Sequence, residues 1–254
     1  MFNKKTKMKR YFVSIICIII SILFSYFLYA AEYEFTNDKE VLSSAITEFT
    51  SYSQQPVEAC VLESIEIDGV LIAFFKDNSD QTVSGFARLL KGVNQRYRIV
   101  NAAYSQSAYM ATIKWHKIET GNENYYAAGG YNFDDNVEAY GLGFYAERSE
   151  EIVILKYAIN NSQFIDLYAE SDLQNELRER KGEDERYILD YLADVVLLDI
   201  NGNNIRDDYR VIEDITGSWS SSASKAELSM LYVFIGIVLI LGILLAKFFY
   251  KSIK

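Results

Sequence analysis

The 254-residue chain is poor in the residues that cross-link proteins or bind transition metals. It has two cysteines, one proline and one histidine. Cys17 lies inside an apolar run and Cys60 is alone in the rest of the chain, so no disulfide can form within that remainder. Zinc sites use mainly Cys and His ligands, which are too few here. The composition therefore excludes a disulfide scaffold and a zinc protein.

Signatures of nucleophilic catalysis are also scarce. The chain has no Gly-x-Ser-x-Gly elbow and no helix with paired His and Glu metal ligands. Strand alternation places His116, the only histidine, beside Lys114 on a polar face, which predicts an exposed surface side chain. Cys60 has no basic neighbour in sequence and is predicted to be a buried, inert thiol.

Positive charge is the third shortage. The chain carries 35 acidic and 25 basic residues, a net charge of −10. All the acids and 17 of the bases lie between two apolar runs, so that part carries −18. Nucleic acid and anionic lipid need clustered Lys and Arg, and neither is expected as a partner. The balance favours cationic partners, metal ions or simply solubility.

Two long uncharged apolar segments stand near the ends of the chain. Residues 11–31 and 228–246 hold 21 and 19 residues without a charge. As helices they would reach about 28–32 Å, enough to cross a bilayer core of about 30 Å. We therefore predict two transmembrane helices at these positions.

Basic flanks predict the orientation. Residues 1–10 hold five bases and residues 247–254 hold three, with no acid in either tail. Such flanks stay cytoplasmic, so the expectation is a two-pass plasma-membrane protein with both termini inside and the main domain outside. The first segment is an uncleaved signal anchor or, alternatively, a cleaved signal peptide. Bulky Leu28 and Tyr29 near the small Ala30 and Ala31 favour the anchor.

Small residues recur on one side of each apolar segment. Ser14, Cys17, Ser21 and Ser25 follow one another at helical spacing, and the second segment has a small pair four residues apart, Gly242 and Ala246. Small residues let membrane helices approach closely. They predict a helix–helix contact, within the chain or with a membrane-protein partner, and chance placement toward lipid is the alternative.

Residues 32–215 are predicted to form an extracytoplasmic α+β domain. Residues 36–53 have an apolar stripe at helical spacing and a cap at Thr36 or Asn37. Asp68-Gly69 between two apolar runs predicts a tight hairpin. Alternating segments separated by turn residues then predict an antiparallel meander. Its strands are Cys60–Ile67, Val70–Lys76, Thr82–Lys91, Arg96–Ser105, Tyr109–Glu119, Asn124–Phe133, Val137–Ala146, Ile152–Ile159 and Phe164–Glu170.

The C-terminal part of the domain is predicted to be helical again. Residues 171–181 and 183–196 have acidic first turns, and the second also has spaced apolar residues. Residues 216–227 read as a Ser-rich tether into the second span. In its element order, one helix followed by an antiparallel sheet, the domain resembles cystatin-like and NTF2-like folds. That resemblance implies a curved sheet over residues 36–170 and says little about function.

Tyrosines and glycines concentrate in the later strands, for example Tyr125, Tyr126, Tyr131, Gly129 and Gly130. They suggest a ligand groove in a curved sheet. The simpler interpretation is ordinary packing of aromatic side chains on pleated strands, with glycines at bulges, and we prefer it.

One local motif suggests a metal. Residues 199–207 (DINGNNIRD) resemble the calcium loops of thrombospondin type 3 repeats and of integrin-like propeller blades. The resemblance implies Ca²⁺ coordination by Asp199, Asn201, Asn203 and Asp207, because alternate side chains of a tight loop direct oxygens at one point. A plain Asn/Gly-rich turn is the alternative.

These patterns predict location better than activity. We expect a membrane-anchored extracytoplasmic interaction or sensing module, accessory to a bacterial cell-envelope complex and not an enzyme. The bacterial setting rests on low proline and abundant Ile, Asn, Lys and Tyr. The alternative is an envelope hydrolase whose carboxylates work in the concave face of the sheet. A polar, carboxylate-lined pocket would favour the hydrolase, and a filled sheet face would favour the module.

Overall fold

The computed structural model describes residues 2–120, 123–181, 185–213 and 217–252. The chain divides into two compact units. Unit 1 comprises Met1–Phe35, Lys91–Arg98 and Ser222–Lys254. Unit 2 comprises Thr36–Leu90 and Ile99–Ser221.

Unit 1 contains the two apolar helices. Helix α1 runs over Phe2–Glu32 and helix α4 over Lys225–Ser252. Within them, Met8–Glu32 and Ser229–Lys251 are long and apolar enough to cross a membrane, with mean hydropathies of 2.5 and 2.7. Most of both stretches is exposed, whereas the core helix of a soluble protein would be mostly buried. The two predicted spans are thus confirmed as helices of the required length and composition.

The small residues of α1 and α4 face each other inside unit 1. The Ser14 hydroxyl donates a hydrogen bond to the Ala246 carbonyl at 2.9 Å. A Cβ atom placed on Gly242 would lie 2.5 Å from the Cβ of Ser21, a separation that side chains do not tolerate. Ser25 and Ala246 are both buried. The predicted close helix contact is therefore made within the chain.

A short loop of unit 1 is bonded to the end of α1. Residues Lys91–Arg98 contain the turn between two successive strands, 83–91 and 97–106. In this segment Tyr97 pairs with Phe35 as an antiparallel bridge. Their two backbone hydrogen bonds are 3.2 and 2.8 Å long. Arg98, whose side chain is 7% exposed, forms an ion pair with Glu32 at 3.1 Å.

Unit 2 begins with helix α2, Lys39–Thr50, close to the predicted helix over 36–53. The cap is Asp38 and not Thr36 or Asn37, because its carboxylate accepts from the backbone N–H groups of Glu40 and Val41. The α2 hydroxyls bond the next strand: Ser43 accepts from Val61 and Thr47 from Ala59, each at 2.9 Å. The helix also buries an apolar face made of Leu42, Ala45 and Ile46.

A five-stranded sheet follows, in the order β1-β2-β3-β4-β12. Its strands are β1 Ala59–Ile67, β2 Val70–Asp77, β3 Val83–Lys91, β4 Tyr97–Gln106 and β12 Ser218–Ser222. The predicted hairpin is confirmed, with Ile67 opposite Val70. Asp68 and Gly69 have φ of 49° and 74°, the left-handed geometry that a two-residue turn of this kind requires.

The later strands form two further antiparallel sheets. One has the order β5-β6-β9. In the other, β7 is the central strand: β8 pairs with one of its edges, and β10 and β11 pair with successive parts of the other edge. These strands are β5 Thr112–Glu119, β6 Asn124–Tyr131, β7 Ala139–Ala146, β8 Ile152–Ala158, β9 Gln163–Ala169, β10 Tyr187–Ile188 and β11 Asp194–Leu198. Helix α3, Glu170–Lys181, confirms the helix predicted over 171–181.

Three expectations about unit 2 change. The helix predicted over 183–196 is wrong where the structure describes it: residues 187–188 and 194–198 are strands, because both pair with β7. Residues 183 and 184 lie outside the described part. Strands form three sheets and not one continuous meander, so the fold is α+β with antiparallel sheets, and the cystatin-like or NTF2-like curved sheet is not confirmed. Residues 218–222 of the predicted Ser-rich tether form strand β12.

Candidate functional site

The predicted calcium loop is a tight turn that follows β11. The Asp199 carboxylate accepts from the backbone N–H groups of Asn201 and Asn203 at 2.9 and 2.7 Å. It also accepts from the side-chain amide of Asn203 at 2.9 Å. These bonds favour the ionised carboxylate and hold the pKa of Asp199 below its usual value. The loop thus uses both Asp199 oxygens to satisfy its own N–H groups.

The four predicted ligands have different surroundings. Asp199 and Asn201 line an open cleft, Asn203 directs its amide nitrogen at Asp199, and Asp207 lies in a 3₁₀ turn, Arg206–Tyr209. Among the described residues, no three His, Cys, Asp or Glu side chains form a group that could hold a metal. Calcium at this loop stays a prediction.

The cleft beside the loop is acidic and has a volume of about 570 Å³. Its walls come from the β6–β7 connection and from the segment after β11. The lining residues are Asp134, Asp135, Asn136, Glu138, Asp199, Ile200, Asn201, Ile205, Asp208 and Tyr209. A hydrogen bond from the Tyr209 hydroxyl to Asp134, 2.6 Å long, is the main cause that lowers the pKa of that carboxyl.

Asp134 and Asp199 are not suited to act as general acids in this cleft. A carboxylic general acid needs a raised pKa in order to hold its proton near neutral pH. The pKa values of Asp134 and Asp199 are lowered instead. Both carboxylates are therefore ionised and suited to attracting cations or donors, not to donating a proton.

Several tyrosines of the Tyr-rich strands are buried in the core, and one of them, Tyr131, also contributes to the lining of an open pocket. Tyr126, Tyr131 and Tyr140 are each at most 1% exposed. The Tyr140 hydroxyl lies 2.7 Å from an Asp166 carboxylate oxygen and 2.5 Å from the Tyr168 hydroxyl. Burial raises the pKa of Tyr140 and of Tyr168 above 10, so both phenols are protonated at neutral pH. These buried tyrosines fit the interpretation that the aromatic side chains pack in the core.

A second concave site in unit 2 is an open cavity of about 310 Å³ among strands β3, β4, β5 and β12. Lys114 and His116 enter it from alternate positions of β5, so the predicted common face of these two residues is confirmed. The Lys114 ammonium donates to the Ser105 carbonyl at 2.9 Å and to the Ser105 hydroxyl at 2.8 Å. Burial lowers the pKa of Lys114 to about 8.

His116 is not the exposed surface residue that the sequence suggested. Its ring stacks on Phe86 with centroids 5.5 Å apart and planes 19° from parallel. Burial, together with the charge of Arg88, lowers the pKa of His116 to about 4. The prediction failed because strand alternation shows only that this face of β5 is polar. It does not show that Phe86 of β3 covers His116 there. Cys60, in contrast, is a half-buried free thiol packed against a core cluster, near its predicted environment.

Three aromatic residues of the lining strands direct their rings to the opposite faces, because side chains alternate along a strand. Trp219 of β12 packs against Tyr104 of β4 with centroids 5.9 Å apart. Trp115, between Lys114 and His116, donates its indole N–H to the Leu189 carbonyl at 2.7 Å. The Tyr104 hydroxyl bonds Ser53 and the Gln55 carbonyl. The sequence did not predict this site, because residues 216–227 are typical of a flexible tether and one wall of the site is strand β12. A tryptophan, Trp219, inside the Ser-rich stretch was the one local indication of ordered structure there.

Comparison with known proteins identifies no relative. No protein-family model, curated protein or solved structure matches the chain.

Proposed function

We propose that this protein is a membrane-anchored extracytoplasmic binding or sensing module, accessory to a bacterial cell-envelope complex. The observation that carries the proposal is the pair of apolar helices α1 and α4, which enclose an acidic α+β unit in the sequence. Anchors at both ends suit a domain that works close to a membrane better than they suit a freely diffusing enzyme.

Orientation is part of the proposal. Five bases precede the first span and three follow the second, while every acid lies between the two apolar runs. The positive-inside rule then places both tails in the cytoplasm and unit 2 outside.

The chemistry of unit 2 supports binding over catalysis. The carboxylates beside the aromatic core accept hydrogen bonds from tyrosines: Asp166 from the buried Tyr140 and Glu176 from the half-buried Tyr157. The acidic cleft offers two carboxyls with lowered pKa values and so no proton donor from that pair. The alternative, an envelope hydrolase, would use this carboxylate-lined cleft.

Topology can be tested with single cysteines in a chain whose Cys17 and Cys60 are replaced by Ala. Tyr52→Cys reports on unit 2, because Tyr52 is 98% exposed, and Ser252→Cys reports on the C-terminal tail. A membrane-impermeant maleimide should label position 52 in intact cells and position 252 only after lysis. Labelling of position 252 in intact cells would overturn the orientation.

An accessory role requires a membrane partner. A photo-crosslinking amino acid at Phe27, which is 66% exposed on α1, should capture a partner in cells. The same group at Ser21, in the contact with α4, is the matched control and should crosslink within the chain. If Phe27 captures only lipid, the partner does not bind through this face of α1.

A further inference from the structure

The turn between strands β3 and β4 packs against the last residues of α1 within unit 1. The Tyr29 hydroxyl accepts a hydrogen bond from the backbone N–H of Val93 at 2.9 Å. The side-chain amide of Asn94 donates to the Tyr33 carbonyl at 2.8 Å. A Cβ atom added to Gly92 would come 2.6 Å from the Tyr29 hydroxyl oxygen and 2.7 Å from the Tyr33 ring. The tip of the turn is therefore packed tightly on the helix.

This contact lies within the candidate membrane span of α1. The span runs over Met8–Glu32, and its uncharged part ends at Ala31. Tyr29 comes three residues before Glu32, about 4.5 Å along the helix axis. Side chains of a helix lean toward its N-terminus, here toward the middle of the span. The Val93 backbone, bonded to the Tyr29 hydroxyl, is thus at the level where the hydrocarbon region would end.

Helix α4 places another tyrosine at this level. The Tyr33 hydroxyl lies 3.2 Å from the Tyr232 hydroxyl, and Tyr232 is near the start of the second uncharged run, 228–246. The rings of Tyr29 and Tyr33 stack with centroids 4.6 Å apart. Tyrosine is enriched where membrane helices cross the membrane–water interface. The three tyrosines therefore indicate that both spans leave the hydrocarbon region beside the turn.

The tip also has side chains that suit the lipid headgroup region. Val93 is 83% exposed. One exposed apolar side chain is ordinary in a soluble protein, so its position beside a span carries the argument. The bases Lys91 and Arg96 flank it, and residues 91–98 include no acid although the chain has a net charge of −10. Glu32, the acid that ends α1, is paired with Arg98 at 3.1 Å. Long basic side chains extend from an apolar surface to reach lipid phosphates.

We propose that the β3–β4 turn is a third membrane contact, in which Val93 enters the headgroup region beside α1 and the Tyr29 hydroxyl holds it there. The inference rests on the membrane anchoring proposed above and adds a lipid-facing surface to it. Zwitterionic lipid is sufficient, because an apolar side chain and two bases require an interface with phosphate groups and not a net negative surface.

A spin label measures the depth of the turn. Full-length protein with Cys17 and Cys60 replaced by Ala carries one nitroxide, at Val93→Cys, and is reconstituted into phosphatidylcholine liposomes. Power saturation compares its accessibility to oxygen, which concentrates in the bilayer, with its accessibility to a water-soluble nickel chelate. The oxygen-to-nickel ratio at position 93 should be several-fold higher than at Tyr52→Cys, because Tyr52 is 98% exposed. Equal ratios at the two positions would overturn the proposal.

Protein that covers the turn, such as a second copy of the chain, gives a different reading. It lowers accessibility to both reagents, whereas lipid lowers accessibility to nickel and keeps that to oxygen high. Low accessibility to both at position 93 would therefore overturn lipid as the partner.

Phe27→Cys is the bilayer reference, because Phe27 is 66% exposed on α1. A lipid-like ratio at position 27 with a water-like ratio at position 93 would refute the turn contact and leave the anchoring in place. Water-like ratios at both positions would refute the anchoring as well.

The positioning role of Tyr29 has its own test. Tyr29→Phe removes the hydroxyl that accepts from Val93 and keeps the ring, so the nickel accessibility at position 93 should rise several-fold. Tyr26→Phe is the matched control, because it removes a hydroxyl from a tyrosine that is 53% exposed on the same helix. It should leave position 93 unchanged. The same reading in both variants would show that Tyr29 does not hold the turn at the interface.

Discussion

Gly242 of α4 lies so close to Ser21 of α1 that a Cβ atom on the glycine would come within 1.9 Å of the serine hydroxyl oxygen. At Gly236, six residues earlier on the same helix, an added Cβ atom would meet no other atom within 4 Å. The two glycines thus provide a close contact and an open control on one helix.

Gly242→Val should separate the two helices, because overpacking of this kind costs about 1–3 kcal/mol. Gly236→Val should not. The measurement is oxidative crosslinking of Ser14→Cys with Ala246→Cys in a background with Cys17 and Cys60 replaced by Ala, since these positions share a hydrogen bond of 2.9 Å. Equal crosslinking in both valine variants would show that α1 and α4 do not pack through Gly242.

The Asp68-Gly69 turn makes a second prediction. Gly69→Val places a β-branched residue at a φ of 74° and should lower the free energy of unfolding by about 1–2 kcal/mol. Gly69→Asn is the control, because Asn tolerates left-handed geometry, and it should cost less. Denaturant midpoints from tryptophan fluorescence report on unit 2, where both tryptophans lie. Identical midpoints for the two variants would argue against a left-handed turn.

His116 should make the protein sensitive to mild acid. Its pKa is about 4 when folded and 6.5 when unfolded, so between these values the unfolded chain binds the proton and the folded chain does not. Stability present above pH 6.5 is therefore lost as the pH falls toward 4. From pH 7 to pH 5 the loss should be about 2 kcal/mol.

The measurement is the free energy of unfolding at pH 7 and pH 5, for the wild type and for His116→Gln. Gln cannot titrate, and His116 is the only histidine, so the variant should lose most of this dependence. A wild type whose stability is flat over this range would mean that His116 is solvated in the folded state.

Calcium can be assigned to the loop, to the cleft, or to neither. If the Asp199–Asp207 loop binds Ca²⁺, the affinity should be about 10⁻⁴–10⁻³ M, as in extracellular modules. Calcium at about ten times the dissociation constant would then stabilise the folded chain by about 1.4 kcal/mol over EDTA. Equal concentrations of Mg²⁺ should not replace it.

Two neighbouring aspartates separate the possibilities. Asp207→Ala should abolish the calcium-dependent rise in melting temperature if the ligands are those that the motif predicts. Asp208→Ala is the contrast, because Asp208 lines the acidic cleft. If only Asp208→Ala abolishes the calcium-dependent rise in melting temperature, the ion binds in the cleft. If the wild type shows no such rise, the protein does not bind calcium at either place.

Elements whose signals are local were predictable from the sequence. The Asp68-Gly69 turn and the helix at 39–50 follow from turn chemistry, a cap and an apolar stripe within a few residues. Strands β10 and β11 were not predictable in this way. Their segment has acidic residues followed by apolar residues at helical spacing, a pattern that is typical of a helix. Their pairing with β7, much earlier in the chain, decides the outcome, and such nonlocal pairing leaves little trace in local periodicity.

The same limit applies to the candidate sites. Alternation correctly placed Lys114 and His116 on one face of β5, but exposure depends on what covers that face. That cover comes from Phe86 of β3 and Ser105 of β4, which only the fold brings beside β5. The motif at 199–207 predicted a turn correctly, yet the direction of the Asn203 amide could not be foreseen.

The bridge between Phe35 and Tyr97 bears on how a soluble piece of this protein should be cut. A fragment beginning at Thr36 would strip Tyr97 of two backbone hydrogen bonds and would leave the Arg98 guanidinium, 7% exposed, without the Glu32 carboxylate. Removing Glu32 would therefore leave a buried charge without its partner, which is destabilising. Expression trials for crystallisation should therefore start at Glu32 or earlier, even though the compact unit itself begins four residues later.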